Sequence, residues 1–351
     1  MTVDVVPFDL PLRRPLSTAR GDIDRRRGFV VRGTLGDGEG VGEATPLPGW
    51  TESHDECRRA LGLVTDLGAA LSSGALDDTP AARHAVALAL FDARARASDE
   101  PLARFLAGPR ASVANEVPVN ATVGDATPGE TTTRVRDAVA AGHDCVKLKV
   151  GVGAVETDVE RLVAASEAAP GVGLRADANG AWSRPEAREF VESVSARGVD
   201  LDYVEQPLPA DEVAEHAALR DSTDVRVAVD ETLSAVSVDE VLAAGAADVL
   251  VLKPMALGGP ARTLSAAERA AEAGVESVVT TTVDAVVART GALHVAAALG
   301  DPPACGLATG ELLARDLAAD PAPVVDGRMH LPEEPGLAGD AFATLDTDVD
   351  A

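Results

Sequence analysis

The chain has 351 residues, of which 46% are hydrophobic and only 3% aromatic, and its formal net charge at pH 7 is −26. This length and hydrophobic fraction predict a globular protein of roughly two or three domains with an aliphatic core, and they exclude an intrinsically disordered chain. So negative a surface repels nucleic acid and anionic membranes, and we expect neither as a partner.

Several sequence features predict the cellular compartment. The opening run MTVDVVPFDLPLRRPL lacks the order of a signal peptide, and no apolar run reaches the ~18 to 20 residues of a membrane span. The cysteines Cys57, Cys145 and Cys305 are scattered and imply no disulfide framework. We therefore expect a cytoplasmic protein. The acidic excess, with arginine in place of lysine, indicates adaptation to a high-salt (halophilic) cytosol.

The sequence pattern over residues 1–115 predicts a separate α+β domain. The segment RGFVVRGTLGDGEGVGEATPL indicates two strands around a GDGEG turn, and helical patterns follow around residues 52–72 and 79–106. The tail, residues 316–351, contains APVVDGRMHLP, which indicates another turn-linked pair of short strands. Because the tail is too short to be a domain, we expect it to complete the N-terminal one.

Residues 116–315 alternate short β-rich runs with alanine-rich amphipathic stretches. Eight runs occur at a spacing of roughly 23 to 30 residues, enough for one helix and two short loops. Their apolar character is typical of a parallel sheet covered by helices, and eight units favour a TIM-type (β/α)8 barrel over an open doubly wound sheet. The runs are residues 117–123, 145–150, 172–179, 201–207, 225–231, 248–254, 277–283 and 305–310.

Charged residues stand at the ends of consecutive predicted strands. Three are carboxylates on neighbouring strands, Asp177, Glu205 and Asp230. The carboxyl ends of the strands meet at one face of a parallel barrel, so these side chains would form an all-oxygen site. Such a site suits Mg²⁺ or Mn²⁺ better than zinc. Each carboxylate alone could be a helix N-cap or part of a loop salt bridge. Three carboxylates at equivalent positions, at the ends of neighbouring strands, favour a metal site.

The chain's only three lysines all fall at this face. Lys147 and Lys149 are two residues apart on the second predicted strand and point to the same side, and Lys253 ends the sixth. Lysine, unlike arginine, can act as a base once its pKa falls from about 10.4 toward ~7 to 8. The charge of Lys147 and a divalent cation would both lower the pKa of Lys149. The pattern predicts proton transfer at a carbon next to a metal-bound carboxylate.

These residues resemble the enolase superfamily, and within it the Lys-x-Lys subgroup of muconate-lactonising enzymes. The resemblance covers nearly the whole chain and implies an enolase-like fold, a modified barrel preceded by an α+β capping domain. It implies that Lys149 removes an α-proton, that Lys253 stabilises the resulting enediolate from the opposite face, and that Asn179 and Glu231 support the metal ligands. The ligands of Mg²⁺, or of Mn²⁺ in its place, would be Asp177, Glu205 and Asp230.

Two local features resemble o-succinylbenzoate synthases. GEATPLPGW (42–50) is similar to a PLPG-plus-aromatic loop of that family, and LRADANGAW (174–182) places Arg175 two residues before a metal ligand. The resemblance implies a lyase reaction, syn elimination of water from a succinyl-hydroxycyclohexadiene carboxylate to give 2-succinylbenzoate in menaquinone biosynthesis. The residues expected to bind the substrate are Arg175, Thr281, Thr282 and Gly306.

Other functions stay open at this point. An N-acylamino acid racemase or a muconate-type cycloisomerase could use the same lysines, and an enolase-like barrel could also be a scaffold or binding protein. Strand seven ends in threonines rather than the His of a mandelate-racemase-type site, and GLATGEL lacks the D-x-D of dipeptide epimerases. GVGAVE (151–156) lacks the third glycine of a dinucleotide-binding loop, and His294 is expected to pack rather than bind metal. We expect a small-molecule carboxylate substrate, with a homo-oligomer left open.

Overall fold

The structure is a computed structural model that describes residues 3–18, 21–35, 38–109 and 111–347. The chain begins with an antiparallel sheet in the order β1 (Val3–Thr18), β2 (Gly21–Leu35) and β3 (Gly38–Ala44). The two predicted strands, β2 and β3, are confirmed, although residues 36–37 of their turn lie outside the described residues. The edge strand β1 is an addition, because Pro7, Pro11 and Pro15 obscure its pattern and an edge strand tolerates proline.

Four helices follow in the described part of residues 45–109, and they confirm the predicted helical stretches. A Cβ added to Gly40 or Gly42 of β3 would lie 2.0 Å from a carbonyl oxygen of the third helix. Glycine therefore alternates along β3 because sheet and helix backbones touch there. The helices are α1 (His54–Leu61), α2 (Leu67–Ser72), α3 (Pro80–Ala97) and α4 (Leu102–Ala107).

The large sheet is parallel and forms the body of the barrel. The predicted first run divides into β4 (Glu116–Pro118) and β5 (Ala121–Val123), of which only β5 joins this sheet. Within the described residues the sheet has seven strands, which follow one another from β5 to β11 in chain order. The other six are β6 (Cys145–Lys149), β7 (Gly173–Asp177), β8 (Tyr203–Glu205), β9 (Val227–Val229), β10 (Val249–Leu252) and β11 (Glu276–Val279).

Helices cover the sheet between successive strands. Three of them begin with a capping box, in which Thr127, Ser183 or Ser237 and a glutamate three residues later satisfy the first backbone N–H groups. No helix within the described ranges has the length and apolar character that crossing a membrane requires. The helices are α5 (Pro128–Ala140), α6 (Val155–Ala168), α7 (Arg184–Ala196), α8 (Val213–Asp221), α9 (Thr232–Ala235), α10 (Val238–Ala244), α11 (Pro254–Leu257), α12 (Pro260–Glu272) and α13 (Val286–Ala298).

The eighth predicted strand, residues 305–310, is wrong as a full strand. Cys305 and Gly306 form single parallel bridges to Val119 and Thr280, and a 3-10 turn begins at Gly310. The backbone N–H of Gly306 donates to the carbonyl of Val279 at 2.9 Å. Two residues therefore close the ring between β11 and the chain before β5. The fold is an enolase-like modified barrel with a separate antiparallel cap sheet.

The tail contains the predicted pair of short strands, β12 (Val324–Val325) and β13 (Arg328–His330), and they pair antiparallel. The strand β13 also pairs with β4, at the entrance to the barrel. Further along, the carbonyl of Phe342 accepts a hydrogen bond of 2.6 Å from Arg32 of β2. The tail thus contacts both the cap sheet and β4, and the domain boundaries at residues 115 and 316 stay a prediction.

Candidate active site

The predicted lysines and carboxylates meet at the carboxyl ends of the parallel strands. Lys149, Asp177 and Glu205 end β6, β7 and β8 and pair side by side in the sheet. Asp230 and Lys253 directly follow β9 and β10. Neighbouring strands therefore deliver charged side chains to one face, which is where barrel active sites form.

The lysines of β6 both contact Asp177. The Nζ atom of Lys147 lies 3.0 Å from Asp177 Oδ2 and donates to the two carboxylate oxygens of Glu205 at 3.0 and 3.1 Å. The Nζ atom of Lys149 donates to Asp177 Oδ2 at 2.6 Å and to Asn179 Oδ1 at 2.8 Å. The side chain of Lys149 is 35% exposed and that of Lys147 only 14%. Lys149 is therefore the lysine of this pair that a ligand reaches more easily.

Lys253 stands at the other end of this row of strands. Its Nζ atom donates to both carboxylate oxygens of Asp230 and lies 3.4 Å from the ring centroid of Trp50. An ammonium group over an indole face is a cation–π contact worth about 0.5–2 kcal/mol. Trp50 follows β3, so the GEATPLPGW segment brings an aromatic face of the cap to the site.

Burial and the lysines act in opposite directions on the carboxylates. Burial raises the pKa of Asp177, but Lys147 and Lys149 outweigh it, so the pKa lies below its usual value. Burial and the charge of Asp177 raise the pKa of Glu205, and burial raises that of Asp230 despite its ammonium partner. Burial lowers the pKa of Lys147, but Asp177 and Glu205 raise it further, so this lysine stays charged. Burial therefore governs the pKa of Glu205 and Asp230, whereas the two lysines govern that of Asp177.

Asn179 and Glu231 lie beside the cluster, where the sequence places them. The Nδ2 atom of Asn179 donates to Glu231 Oε1 at 2.9 Å. Asn179 has a φ of +47°, a left-handed conformation that asparagine adopts more readily than most residues. The Oε2 atom of Glu231 is buried and has no hydrogen-bond partner among the described residues. A cation or its bound water would satisfy such an oxygen.

Gln206 is a residue of this site that the sequence analysis does not predict. It follows Glu205 with a φ of +41°, and its Oε1 atom accepts the backbone N–H groups of Asp230 at 2.9 Å and Thr232 at 3.1 Å. Its Nε2 atom donates to Thr232 Oγ1 at 2.9 Å. Gln206 therefore fixes the backbone that carries Asp230. The sequence feature that could have indicated this role is a polar residue between a carboxylate and a proline, in the segment EQP.

The structure does not bring Arg175 to the carboxylate cluster. Arg175 lies two residues before the end of β7, so its side chain occupies the next layer toward the amino ends of the strands. Its guanidinium donates to the Ala304 carbonyl at 2.6 Å and to Asp202 Oδ2 at 3.4 Å, and lies 4.7 Å from the Tyr203 ring centroid. These residues line a cavity at the amino ends of the strands, away from the lysines.

The remaining predicted substrate-binding residues follow β11. Thr281 and Thr282 are buried; the first shares a hydrogen bond of 2.9 Å with Thr309, and the second donates to Asp284. Thr280 Oγ1 donates to the Gly306 carbonyl at 2.9 Å, and a Cβ on Gly306 would meet that oxygen. Glycine is therefore required at 306 by packing, and the substrate-binding roles stay predictions.

The donor set fits a hard divalent cation. Asp177, Glu205 and Asp230 offer only carboxylate oxygens, as Mg²⁺ prefers, and Glu231, which has an unpartnered buried oxygen, follows Asp230 in sequence. As placed, no three His, Cys, Asp or Glu side chains in the described ranges form a group that could hold a metal. The ammonium groups of the lysines lie on these carboxylates, so a cation would have to displace them.

The site and fold together define a class: a parallel barrel with carboxylates and lysines at its carboxyl face and a cap segment over them. Residues 130–340 match the family described as enolase C-terminal domain-like. The chain belongs to this family and, through it, to the enolase superfamily.

Individual relatives differ in activity. The o-succinylbenzoate synthase of Mycolicibacterium smegmatis is 40% identical over 223 residues, 62% of this chain and 65% of the relative, so the match spans just under two thirds of its length. Chloromuconate cycloisomerase CbnB of Cupriavidus necator is 28% identical over 354 residues, 95% of this chain and 94% of that protein. The dipeptide epimerase of Methylococcus capsulatus, solved with Mg and the dipeptide L-Arg-D-Lys, is 28% identical with a TM-score of 0.84, covering 96% of this chain and 98% of that one.

Proposed function

We propose that this chain is a lyase that eliminates water in the syn sense from 2-succinyl-6-hydroxy-2,4-cyclohexadiene-1-carboxylate, giving 2-succinylbenzoate, as in menaquinone biosynthesis. The observation that carries the proposal is the placement of the chain's only three lysines on three buried carboxylates at one barrel face. The identity of 40% to the o-succinylbenzoate synthase of M. smegmatis supports this choice of reaction.

Asp177, Glu205 and Asp230 would hold Mg²⁺, or Mn²⁺ in its place, and Asn179 and Glu231 would keep them in position. The bound cation would supply positive charge that stabilises the substrate's carboxylate oxygens once the neighbouring carbon loses its proton. Epimerases of the same fold were solved with Mg, which supports the choice of cation.

Lys149 would carry the proton. Its Nζ lone pair takes the α-proton, and the electrons of the C–H bond enter the enediolate. The electrons would then form the third double bond of the ring, between the α-carbon and the carbon that bears the hydroxyl, as the C–O bond breaks, and Nζ would return the proton to the departing oxygen, which leaves as water. Both transfers take place on one face of the ring, so one exposed lysine suffices for a syn elimination. The exposure of Lys149 suits this role.

Lys253 would stabilise the enediolate without exchanging a proton. It is 9% exposed and its Nζ atom lies 3.4 Å from the Trp50 ring centroid, a contact that would keep the ammonium group at the site when a cation takes its place on Asp230. A preorganised charge of this kind acts where negative charge develops and requires no rearrangement during the reaction. Lys147 would remain charged between Asp177 and Glu205.

A second candidate is a cycloisomerase or an N-acylamino acid racemase that uses the same residues. The likeness to chloromuconate cycloisomerase CbnB over 95% of this chain favours it. Racemisation needs Lys149 and Lys253 as acid–base partners on opposite faces, whereas the elimination needs proton transfer by Lys149 alone. We therefore expect Lys253→Arg to spare part of the elimination and to abolish racemisation. Equal and total loss of both activities would contradict this division of roles.

The decisive experiment compares substrates in high-salt buffer with and without EDTA. We expect turnover of the cyclohexadiene carboxylate that EDTA abolishes and Mg²⁺ restores. Lys149→Met should lower kcat by at least about 10²-fold, in the range of general acid–base catalysis. Asp230→Asn should also inactivate the protein, while the exposed Asp144→Asn serves as a matched control.

Two outcomes would overturn the proposal. Turnover of N-acyl amino acids or muconate alone would assign the chain to the second candidate. Absence of any turnover, together with no binding of Mg²⁺ or Mn²⁺ by calorimetry in molar salt, would support a scaffold or binding protein.

A further inference from the structure

The loop between β11 and α13 contains a strained residue. Val283 has a φ of +61°, in the left-handed region that a β-branched residue rarely adopts. It directly follows Thr281 and Thr282 at the site. Such strain persists only when the surrounding structure imposes it, and it concentrates where geometry serves function. The side chains that hold Val283 in this conformation are therefore candidates for a functional role.

A single guanidinium holds this corner to the cap. Arg26 of β2 is 3% exposed, and its Nε atom donates to the Val283 carbonyl at 3.1 Å. Its Nη2 and Nη1 atoms donate to the carbonyls of Thr45 at 2.8 Å and Pro46 at 3.3 Å. Arg26 thus joins the barrel loop at Val283 to the cap segment that leads to Trp50. No periodicity or motif in the sequence assigns it a role.

A neighbouring carboxylate fixes the same junction. Both oxygens of Glu43 accept backbone N–H groups at the start of α13, from Ala285 and Ala288, each at 2.8 Å. Thr45 also donates to Glu43. The backbone that follows Val283 is therefore also held from the cap.

We propose that Arg26 is a positioning residue: by tying the strained Val283 corner to Thr45 and Pro46, it holds the Trp50 ring against Lys253. Without its three donors, the left-handed conformation of Val283 loses the contact made to its own carbonyl, and the corner relaxes although Glu43 still holds the start of α13. The cap segment then loses its anchor, and the ring and the ammonium group separate. The geometric part of this inference is independent of the reaction, and only its kinetic consequence rests on the proposed function.

The test uses the intrinsic fluorescence of Trp50, which requires no turnover. The chain has two tryptophans, so Trp182→Phe leaves Trp50 as the single reporter. Arg26→Lys keeps the buried charge but cannot reach all three carbonyls. Arg25→Lys, on the same strand and paired with Asp9 near the surface, is the matched control. We expect Arg26→Lys to shift the Trp50 emission and increase acrylamide quenching, and the control to do neither.

A second substitution distinguishes a positioning role of Arg26 from a general contribution to the stability of the fold. Glycine adopts a φ of +61° without strain, so Val283→Gly added to Arg26→Lys should restore the fluorescence signature. In the chain with both tryptophans, Arg26→Lys should reduce kcat/KM on the order of 10²-fold, mainly through kcat, and the double variant should recover most of it. Circular dichroism and thermal melting show that each variant is folded.

Several results would overturn the inference. An unchanged Trp50 signal in folded Arg26→Lys, or the same shift in Arg25→Lys, would show that Arg26 does not position the ring. If Arg26→Lys does not fold, the double variant carries the test, and failure of that variant to fold would make the role purely structural. A fluorescence shift and rescue without turnover of the proposed substrate would leave the positioning intact and refute only the reaction.

Discussion

The buried carboxyl group of Glu43 should make the folded chain less stable as the pH rises. Glu43 is fully buried, and burial together with the charge of Asp284 raises its pKa from the usual 4.5 to about 7. Asp316 adds to the rise, while hydrogen bonds from Thr45 and Ala288 oppose it. The folded state therefore binds a proton that the unfolded chain releases. The stabilisation that this bound proton provides is complete below pH 4.5, and it is lost as the pH rises from 4.5 through 7.

The size of this effect follows from the two pKa values. At about 1.36 kcal/mol per pH unit, a pKa of about 7 against 4.5 corresponds to roughly 3 kcal/mol. Glu43→Gln cannot ionise and lacks this dependence. The free energy of unfolding of the native chain, minus that of Glu43→Gln, should therefore fall by roughly 3 kcal/mol between pH 4 and pH 8. Groups that titrate in both proteins, including His84, which contacts the Glu43 carbonyl, contribute to both free energies and cancel in this difference.

Urea unfolding followed by far-UV circular dichroism at several pH values measures this difference. Glu39→Gln, on the same strand but 58% exposed, is the matched control for the change of side chain. A flat difference for Glu43→Gln, or one no larger than that for Glu39→Gln, would show that burial does not raise the pKa of Glu43. A difference that grows with pH would mean that the positive charge of Arg26, buried in the same network, outweighs burial and Asp284.

Three further predictions concern packing and the site. Gly42→Ala should destabilise the fold by about 1–3 kcal/mol in urea unfolding, because its Cβ would lie 2.0 Å from the Ala85 carbonyl; Gly124→Ala, with nothing within 4 Å, is the control and should be near neutral. Phe190→Ala should cost about 3–5 kcal/mol and change the fluorescence of Trp182, whose ring centroid lies 4.3 Å away; an unchanged spectrum would contradict that contact. Gln206→Leu should weaken Mg²⁺ binding by roughly 10–100-fold in calorimetry, because the backbone of Asp230 loses its acceptor, and unchanged affinity would refute the role of Gln206.

Local sequence patterns predict the strands and the residues at their ends. Side chains alternate along a strand, and parallel strands end at one face, so the run CVKLK and the carboxylates after its neighbours suffice to bring Lys149, Asp177 and Glu205 together. The eighth strand fails because its ladder is two residues long, and single bridges leave no periodicity to detect.

The contacts between the cap and the barrel cannot be predicted from local sequence patterns. Arg26 and Val283 are 257 positions apart, and Glu43 and Ala285 are 242 apart. Their contacts satisfy backbone groups of loops, which carry no repeat and no side-chain signature. Arg26 reads as one of several arginines on β2, and only the tertiary structure distinguishes it from Arg25. Gln206 is missed for the same reason, since its Oε1 atom accepts backbone N–H groups of the segment that follows β9.

The scarcity of lysine has a physical counterpart in the structure. All 28 remaining basic residues are arginine, yet Lys147, Lys149 and Lys253 each place an ammonium group against a buried carboxylate. An ammonium group is a compact point charge, and that of Lys253 donates to Asp230 on one side and lies over the Trp50 ring on the other. Arginine cannot give up its proton, so it could not take one from a substrate. Where a buried cation donates to several backbone carbonyls, as at Arg26 and Arg161, this chain uses arginine even in its core. The three lysines therefore share one feature, a compact ammonium group on a buried carboxylate, and the proposed proton transfer requires a lysine at position 149.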